Sequence, residues 1–411
     1  MAQLNITLNQ EEILQLLGED RDGAFKKLLQ ESLNTLLKAE STEQLGAEKY
    51  ERSEDRTDSR NGTRKRDLNT RIGTITLEVP RHRNEPFKTM IFENYSRSEG
   101  ALITTMAEMV VNGVATRKVS RVMESLCDVK FSKSTVSEVC KDLDEAVSNF
   151  KNRPITGDIP FVFVDATYFK VREDHRVISK AMMIAFGTKY DGYREILGFE
   201  VYKNESNDTW LDFIKSLKKR GLTGVKMFIS DAHDGIINAI AKEYTEVPWQ
   251  RCQTHFSRNI KELTPAKYQK GLLSELTEMY TSKDIAAARK KRDEIIADYK
   301  DVAEKAVECL DNGFENVMAV MALPQNIRRY FRTSNHIERL NKELKRRSKA
   351  IGIFPNEDSL VRLIGSVLIE QNDAYILTHI SGFPSRTEQE VKACEKKLVQ
   401  IALEQRMLLV S

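Results

Sequence analysis

Phe161, Val162, Phe163 and Val164 lead straight into Asp165, and Ala166 follows, so one carboxylate sits inside an apolar run. Thr167, Tyr168, Phe169 and Val171 continue the β-rich pattern beyond it, which predicts a buried strand that does not stop at the acid. An unpaired charge inside such a strand is costly. Coordination of a divalent cation is one arrangement that removes the cost.

Two further acids fit that arrangement. Asp231 ends a second apolar run over residues 225–230, and Glu338 opens a basic helix at residues 335–341. Phosphodiester chemistry by two ions needs a compact set of oxygen ligands around cations roughly 3.5–4 Å apart. If the strands carrying Asp165 and Asp231 pair in parallel, the two acids lie side by side. A helix packed across the sheet edge would bring Glu338 to them. Each acid also has a structural alternative. Asp165 could accept turn hydrogen bonds, Asp231 could cap the helix beginning near His233, and Glu338 could close a capping box with Asn335 as N-cap.

Arg339, Lys342, Lys345, Arg346, Arg347 and Lys349 coat the Glu338 helix, while Ile337, Leu340 and Leu344 give it a packing face. Lys345 lies about two turns beyond Glu338 on roughly the same face, where a cation would hold a phosphate. Arg328, Arg329 and Arg332 extend the basic stretch upstream. The alternative is a solvated basic face, although so many like charges repel one another without an anionic partner.

Across 411 residues the net charge is only +3, so any nucleic-acid contact must come from local clusters of this kind. The 5 cysteines, Cys127, Cys140, Cys252, Cys309 and Cys394, are scattered and form no disulfide framework, which points to a reducing cytoplasm. The N-terminus has neither a basic start nor a long apolar run, which argues against a secretory signal, and no stretch is long and apolar enough to span a membrane.

The pattern along the chain predicts an α/β protein with a mixed sheet, interrupted by a helical insertion and preceded by a helical DNA-binding region. Residues 1–45 form an N-terminal helical segment. Residues 46–97 are a basic linker and short β segment that includes Arg64, Lys65 and Arg66, with 51–62 read as mobile. Residues 98–153 are helical; Ser132 or Ser134 caps a helix after a short link, and with Lys133 this suggests a helix-turn-helix, a plain helical hairpin being the alternative. Strands at 161–171, 179–188 and 194–202, a hairpin turn at Asp191 and Gly192, and an alternating α/β half make up a first core part, 154–255. Residues 256–330 are an all-helical insertion, 331–375 the final core helices and 376–411 a helical tail. Cys252 and His255 have the spacing of half a zinc site with no second pair to complete it, and core packing is the alternative. His233 and His336 lie near the acids in sequence.

These segments together resemble the Mutator-like transposases of bacterial insertion sequences. The resemblance is carried by Arg60, Asn61 and Gly62; Val79, Pro80 and Arg81; 164–168; 230–235; Cys252 to His255; and 333–347, with Ile353 to Asn356 just beyond. It implies an RNase H-like core with a DDE triad, matched by Asp165, Asp231 and Glu338, and an insertion between the second Asp and the Glu. Lys345 matches the family's basic residue after the Glu, and Cys252 and His255 match its Cys-x-x-His pair. It further implies two Mg²⁺ or Mn²⁺ ions, double-stranded DNA as partner through terminal inverted repeats and target, a dimeric or larger synaptic complex, and copying through a circular intermediate. A DNA-binding regulator that cuts nothing would leave Asp165 without a purpose. An RNase H-like nuclease acting on hybrids would need neither the insertion nor a separate N-terminal binding region.

Overall fold

The computed structural model describes residues 21–51, 56–70, 72–89, 100–127 and 131–410. Two compact units divide the chain between Asp142 and Leu143.

The first unit begins with a helix, α1 (Arg21–Leu45), and a two-stranded antiparallel ribbon, β1 (Arg60–Thr70) and β2 (Gly73–His82). Leu29, Leu33 and Leu37 of the helix pack on Leu68, Ile75, Leu77 and Val79 of the ribbon. The expected mobile stretch thus ends in a regular strand at Arg60. Its polar side chains hid this, because β1 pairs through its backbone and buries only Leu68 and Thr70. The part of the expected first helix before Arg21 lies outside the described residues.

Three helices follow, α2 (Gly100–Val111), α3 (Thr116–Cys127) and α4 (Lys133–Val139). Gly113, at φ +84°, turns the chain between the first two, and Ser132 caps α4 by accepting from Thr135 N. Leu102, Met106, Val119, Met123, Phe131 and Val136 form their small core.

The second unit opens with α5 (Leu143–Asn152), which packs on the sheet unit and so belongs to it, although the sequence grouped it with the helices before it. Strands β3 (Phe161–Glu173), β4 (Arg176–Thr188) and β5 (Arg194–Tyr202) make an antiparallel meander. Gly192, at φ +81°, makes the turn between the last two. Then come α6 (Asn207–Lys219), β6 (Met227–Ser230), α7 (Asp234–Glu243) and β7 (Trp249–Arg251). The sheet order is β5-β4-β3-β6-β7, with β6 parallel to β3 and β7 parallel to β6. Alternation along β3 sends Val162 and Val164 to one face, against Trp210, Phe213, Ile214 and Leu217 of α6 and Ile236 and Ile240 of α7. Gln405, from the C-terminal end of the chain, exchanges two hydrogen bonds with the Trp249 backbone, covering the edge strand.

An all-helical block follows: α8 (Gln253–Glu262), α9 (Gln269–Tyr280), α10 (Ile285–Tyr299) and α11 (Glu304–Met318), built around Phe256, Leu272, Leu276, Ile295, Leu310 and Phe314. Gln250 of β7 and Gln253 both donate to the Val317 carbonyl, tying the end of the block to its beginning. The chain returns through α12 (Gln325–Phe331), whose Phe331 stacks on Phe161 with ring centroids 3.7 Å apart. Next come α13 (Asn335–Ser348), the two-residue strand β8 (Ile353–Phe354) pairing with Lys170 and Val171, α14 (Glu357–Ile376), α15 (Thr387–Ala393) and α16 (Glu395–Val410). Helices therefore cover both faces of a mixed sheet. Among the described residues no helix is long and apolar enough to cross a membrane.

Candidate active site

Register places the two aspartates. Phe163 pairs with Ile229 in the parallel β3–β6 ladder, and Asp165 and Asp231 each lie two residues further on. Asp165 is within its strand, opposite Ile184 of β4, so it does not end the strand at a turn. Its Oδ1 accepts from Ala166 N at 2.9 Å and its Oδ2 from Asn341 Nδ2 at 2.7 Å. Burial, and then the charge of Asp231, push its carboxyl up to about 7, with the Ala166 N–H opposing. Among the described residues neither aspartate forms an ion pair with a Lys or Arg.

Asp231 does not cap the helix after it. His233 does, its Nδ1 accepting from Gly235 N at 3.1 Å. The other imidazole nitrogen of His233 lies 3.7 Å from Glu205. Glu205 escaped the sequence reading, since nothing in its local pattern marks it. It accepts from Tyr168 Oη at 2.9 Å and Trp210 Nε1 at 3.0 Å, and its charge also raises Asp165.

Helix α13 brings in the third acid. Ile337, Leu340 and Leu344 are buried against the sheet unit, and the neighbouring stripe carries Glu338, Asn341 and Lys345. The N-cap is Ser334 rather than Asn335, and no side-chain capping bond forms, so the capping box is not made. Ser334 Oγ instead reaches Glu338 Oε1 at 3.3 Å and Cys252 Sγ at 3.1 Å. His255 Nε2 lies 3.6 Å from the same Glu338 oxygen. The adjacent Cys252 sulfur holds the His255 imidazole up to about 8 against burial, with Asp231 and Glu338 adding to the effect. Ligand atoms of Cys252, His255 and Glu338 all lie within 4.8 Å of one another, the only such trio of acids, histidines and cysteines among the described residues. The oxygens of Asp165, Asp231 and Glu338 do not converge that closely.

Lys345 Nζ donates to the Tyr168 carbonyl, three residues past Asp165, and lies 4.4 Å from the centre of the Phe169 ring. A carbonyl does not neutralise an ammonium charge, so Lys345 stays available to an anion. Arg339 and Lys342 are exposed on α13. The rest of the expected basic coat is less available. Arg346 pairs with Glu343, and Arg347 is buried between Glu343 and Glu370, so acids within the fold offset part of the repulsion. Arg328 is spent on the Leu323 and Met321 carbonyls. His336 faces the core, stacked on Phe186, and burial pushes it down to about 4.

In the first unit, Arg64, Lys65 and Arg66 line an open cavity of about 880 Å³ together with Arg81, His82 and Phe87. Lys133 and Ser134 stand at the start of α4.

Fold and site together define a mixed α/β protein with a half-buried carboxylate within a central strand and further acids and the Lys345 ammonium beside it. The family profile described as "Transposase, Mutator family" matches residues 1–378. The chain is 42% identical, over 92% of its length and 97% of the relative's, to the transposase for insertion sequence element IS256 in transposon Tn4001 of Staphylococcus aureus. It is 37% identical to the ISRM5 transposase of Rhizobium meliloti, over 88% of this chain and 90% of the relative. It is 38% identical to the IS1081 transposase of Mycobacterium tuberculosis, over 88% of this chain and 89% of the relative. The chain belongs to the Mutator family of transposases.

Proposed function

We propose that this transposase serves a bacterial insertion sequence, binding the element's terminal inverted repeats and carrying out strand cleavage and strand transfer at Asp165, Asp231 and Glu338. The observation that supports the reading is the register of β3 and β6: Asp165, half-buried within β3, and Asp231, just past the end of β6, each follow the Phe163–Ile229 pair by two residues, and among the described residues neither pairs with a Lys or Arg. The sheet order, an antiparallel meander whose first strand also pairs in parallel with β6, supports an RNase H-like core.

The donor set suits hard divalent cations such as Mg²⁺ or Mn²⁺, which take oxygen ligands. Asp165, Asp231 and Glu338 would hold two of them. When bound, such ions activate an attacking hydroxyl and stabilise the leaving oxygen.

The chain's own residues do the positioning. Asn341 fixes the Asp165 carboxylate, and the parallel ladder, which ends at Phe163 and Ile229, leads the chain to Asp231 two residues on. Glu338 is presented one turn from Asn341 on the same helix stripe. Lys345, with Arg339 and Lys342, offers charge to the phosphates flanking the scissile bond, whereas Arg346 is held by both oxygens of Glu343. Water attack on the phosphorus at the element end breaks its P–O3′ bond and frees a 3′-hydroxyl; that hydroxyl then attacks a second phosphodiester, forming a new P–O3′ bond while the old 3′ oxygen leaves and takes up a proton. No covalent enzyme intermediate is needed. In the first unit, Arg64, Lys65 and Arg66 of the ribbon and Lys133 and Ser134 of α4 contact the ends, and the active assembly is a dimer or larger.

Asp231→Ala should abolish both cleavage and joining on inverted-repeat DNA with Mg²⁺ while leaving specific end binding largely intact. Cleavage retained by that variant sinks the assignment.

A further inference from the structure

We propose that Cys252, His255 and Glu338 form a site for a thiophilic divalent cation such as Zn²⁺, Co²⁺ or Cd²⁺, sharing only Glu338 with the proposed catalytic acids. Cys252 is fully buried at the end of β7, where the chain turns into α8, and His255 follows one turn later. Glu338 arrives from α13, so the fold supplies the third ligand that the two-residue motif lacks in sequence. All three ligand atoms lie within 4.8 Å of one another. Ligands of a tetrahedral zinc lie roughly 3.3–3.8 Å apart, given Zn–N and Zn–S lengths of about 2.0–2.3 Å. The His255 Nε2 to Glu338 Oε1 separation of 3.6 Å already meets that spacing.

The hydrogen bonds at the sulfur point to an occupant. Cys252 Sγ receives two donors, Ser334 N at 3.3 Å and Ser334 Oγ at 3.1 Å, which suits a thiolate. A sulfur, nitrogen and oxygen set selects borderline and soft cations over Mg²⁺, whose ligands are oxygens. Binding releases to solvent the one proton that the Cys252 and His255 pair shares, leaving a thiolate and a neutral imidazole as ligands, and water fills the fourth position, as in three-ligand zinc sites. Occupancy would engage Glu338 Oε1, so this cation competes for a carboxylate that the proposed catalytic reading also uses; only that consequence rests on the reading.

Optical titration of the purified, full-length protein with Co²⁺ tests the site. The wild type should develop a thiolate-to-cobalt charge-transfer band that Zn²⁺ bleaches. Cys252→Ser should lose the band, and His255→Gln should weaken Co²⁺ binding by more than about tenfold. Asp165→Asn should keep the band. Absence of the band in the wild type, its persistence in Cys252→Ser, or its loss in Asp165→Asn overturns the proposal. The wild-type spectrum is decisive even if a variant misfolds, and circular dichroism identifies that case. A band in a protein that also fails to cleave DNA with Mg²⁺ before any Co²⁺ is added would count against the catalytic reading and not against this site.

Discussion

Asn341 Nδ2 donates to Asp165 Oδ2 at 2.7 Å, joining α13 to the middle of β3. The bond fixes the carboxylate that burial makes hardest to ionise, and it comes from the helix that also carries Glu338 and Lys345. Asn341 is itself held poorly otherwise, since its Oδ1 is buried without a partner.

Asn341→Ala should therefore slow DNA cleavage. A hydrogen bond to a charged group contributes roughly 1.5–3 kcal/mol, which corresponds to a loss of about ten- to a hundredfold. Asn341→Asp should be worse, because it adds a like charge beside Asp165. Steady-state cleavage and Mn²⁺ affinity measured on both variants check the order.

The ionisation of Asp165 makes stability depend on pH and metal together. Its carboxyl titrates at about 7 in the folded protein and near 3.9 when unfolded. The folded state thus holds the proton more tightly, so the stability from this group is full below about pH 4 and is lost as pH rises through about 7. Mg²⁺ or Mn²⁺ should offset that loss, raising Tm more at about pH 8 than at about pH 5.5. Thermal melts with and without metal measure this, and Asp165→Asn should flatten the difference. A metal-induced shift that is the same at both pH values counts against the assignment.

Lys345→Ala should weaken binding to end DNA uniformly across sequences and reduce the slope of log affinity against log salt by about one. Arg347→Ala, by contrast, should lower Tm without changing the salt slope, because that guanidinium is buried on Glu343 and Glu370. Fluorescence anisotropy over a salt series separates the two.

Phe331 is fully buried and stacked on Phe161 where the chain leaves the helical block for α13. Phe331→Ala should cost about 3–5 kcal/mol. Denaturant unfolding gives the size. The folded fraction should also bind Mn²⁺ more weakly, since the start of α13 loses its anchor to the strand that bears Asp165.

Local patterns made much of this architecture readable. The unbroken β pattern around Asp165, the Asp191 and Gly192 turn, the α6 stripe and the helical block each follow from neighbours in sequence. What escaped depended on distant partners. Asn341 was one polar residue on a basic helix until α13 crossed β3. Glu205 acquires its partners only when β5 ends beside Tyr168 and His233. The Cys252 and His255 pair looked incomplete because its third ligand comes from across the helical block. The ribbon strand β1 was hidden by side chains that face solvent while its backbone pairs, and Arg347 looked like surface charge until Glu370 came to meet it.

The most direct test of the central claim is the anomalous scattering of Mn²⁺ in crystals of the protein with inverted-repeat DNA. Two peaks roughly 3.5–4 Å apart, ligated between them by Asp165, Asp231 and Glu338, are the expected result. Manganese bound only away from Asp165 and Asp231 would contradict that claim.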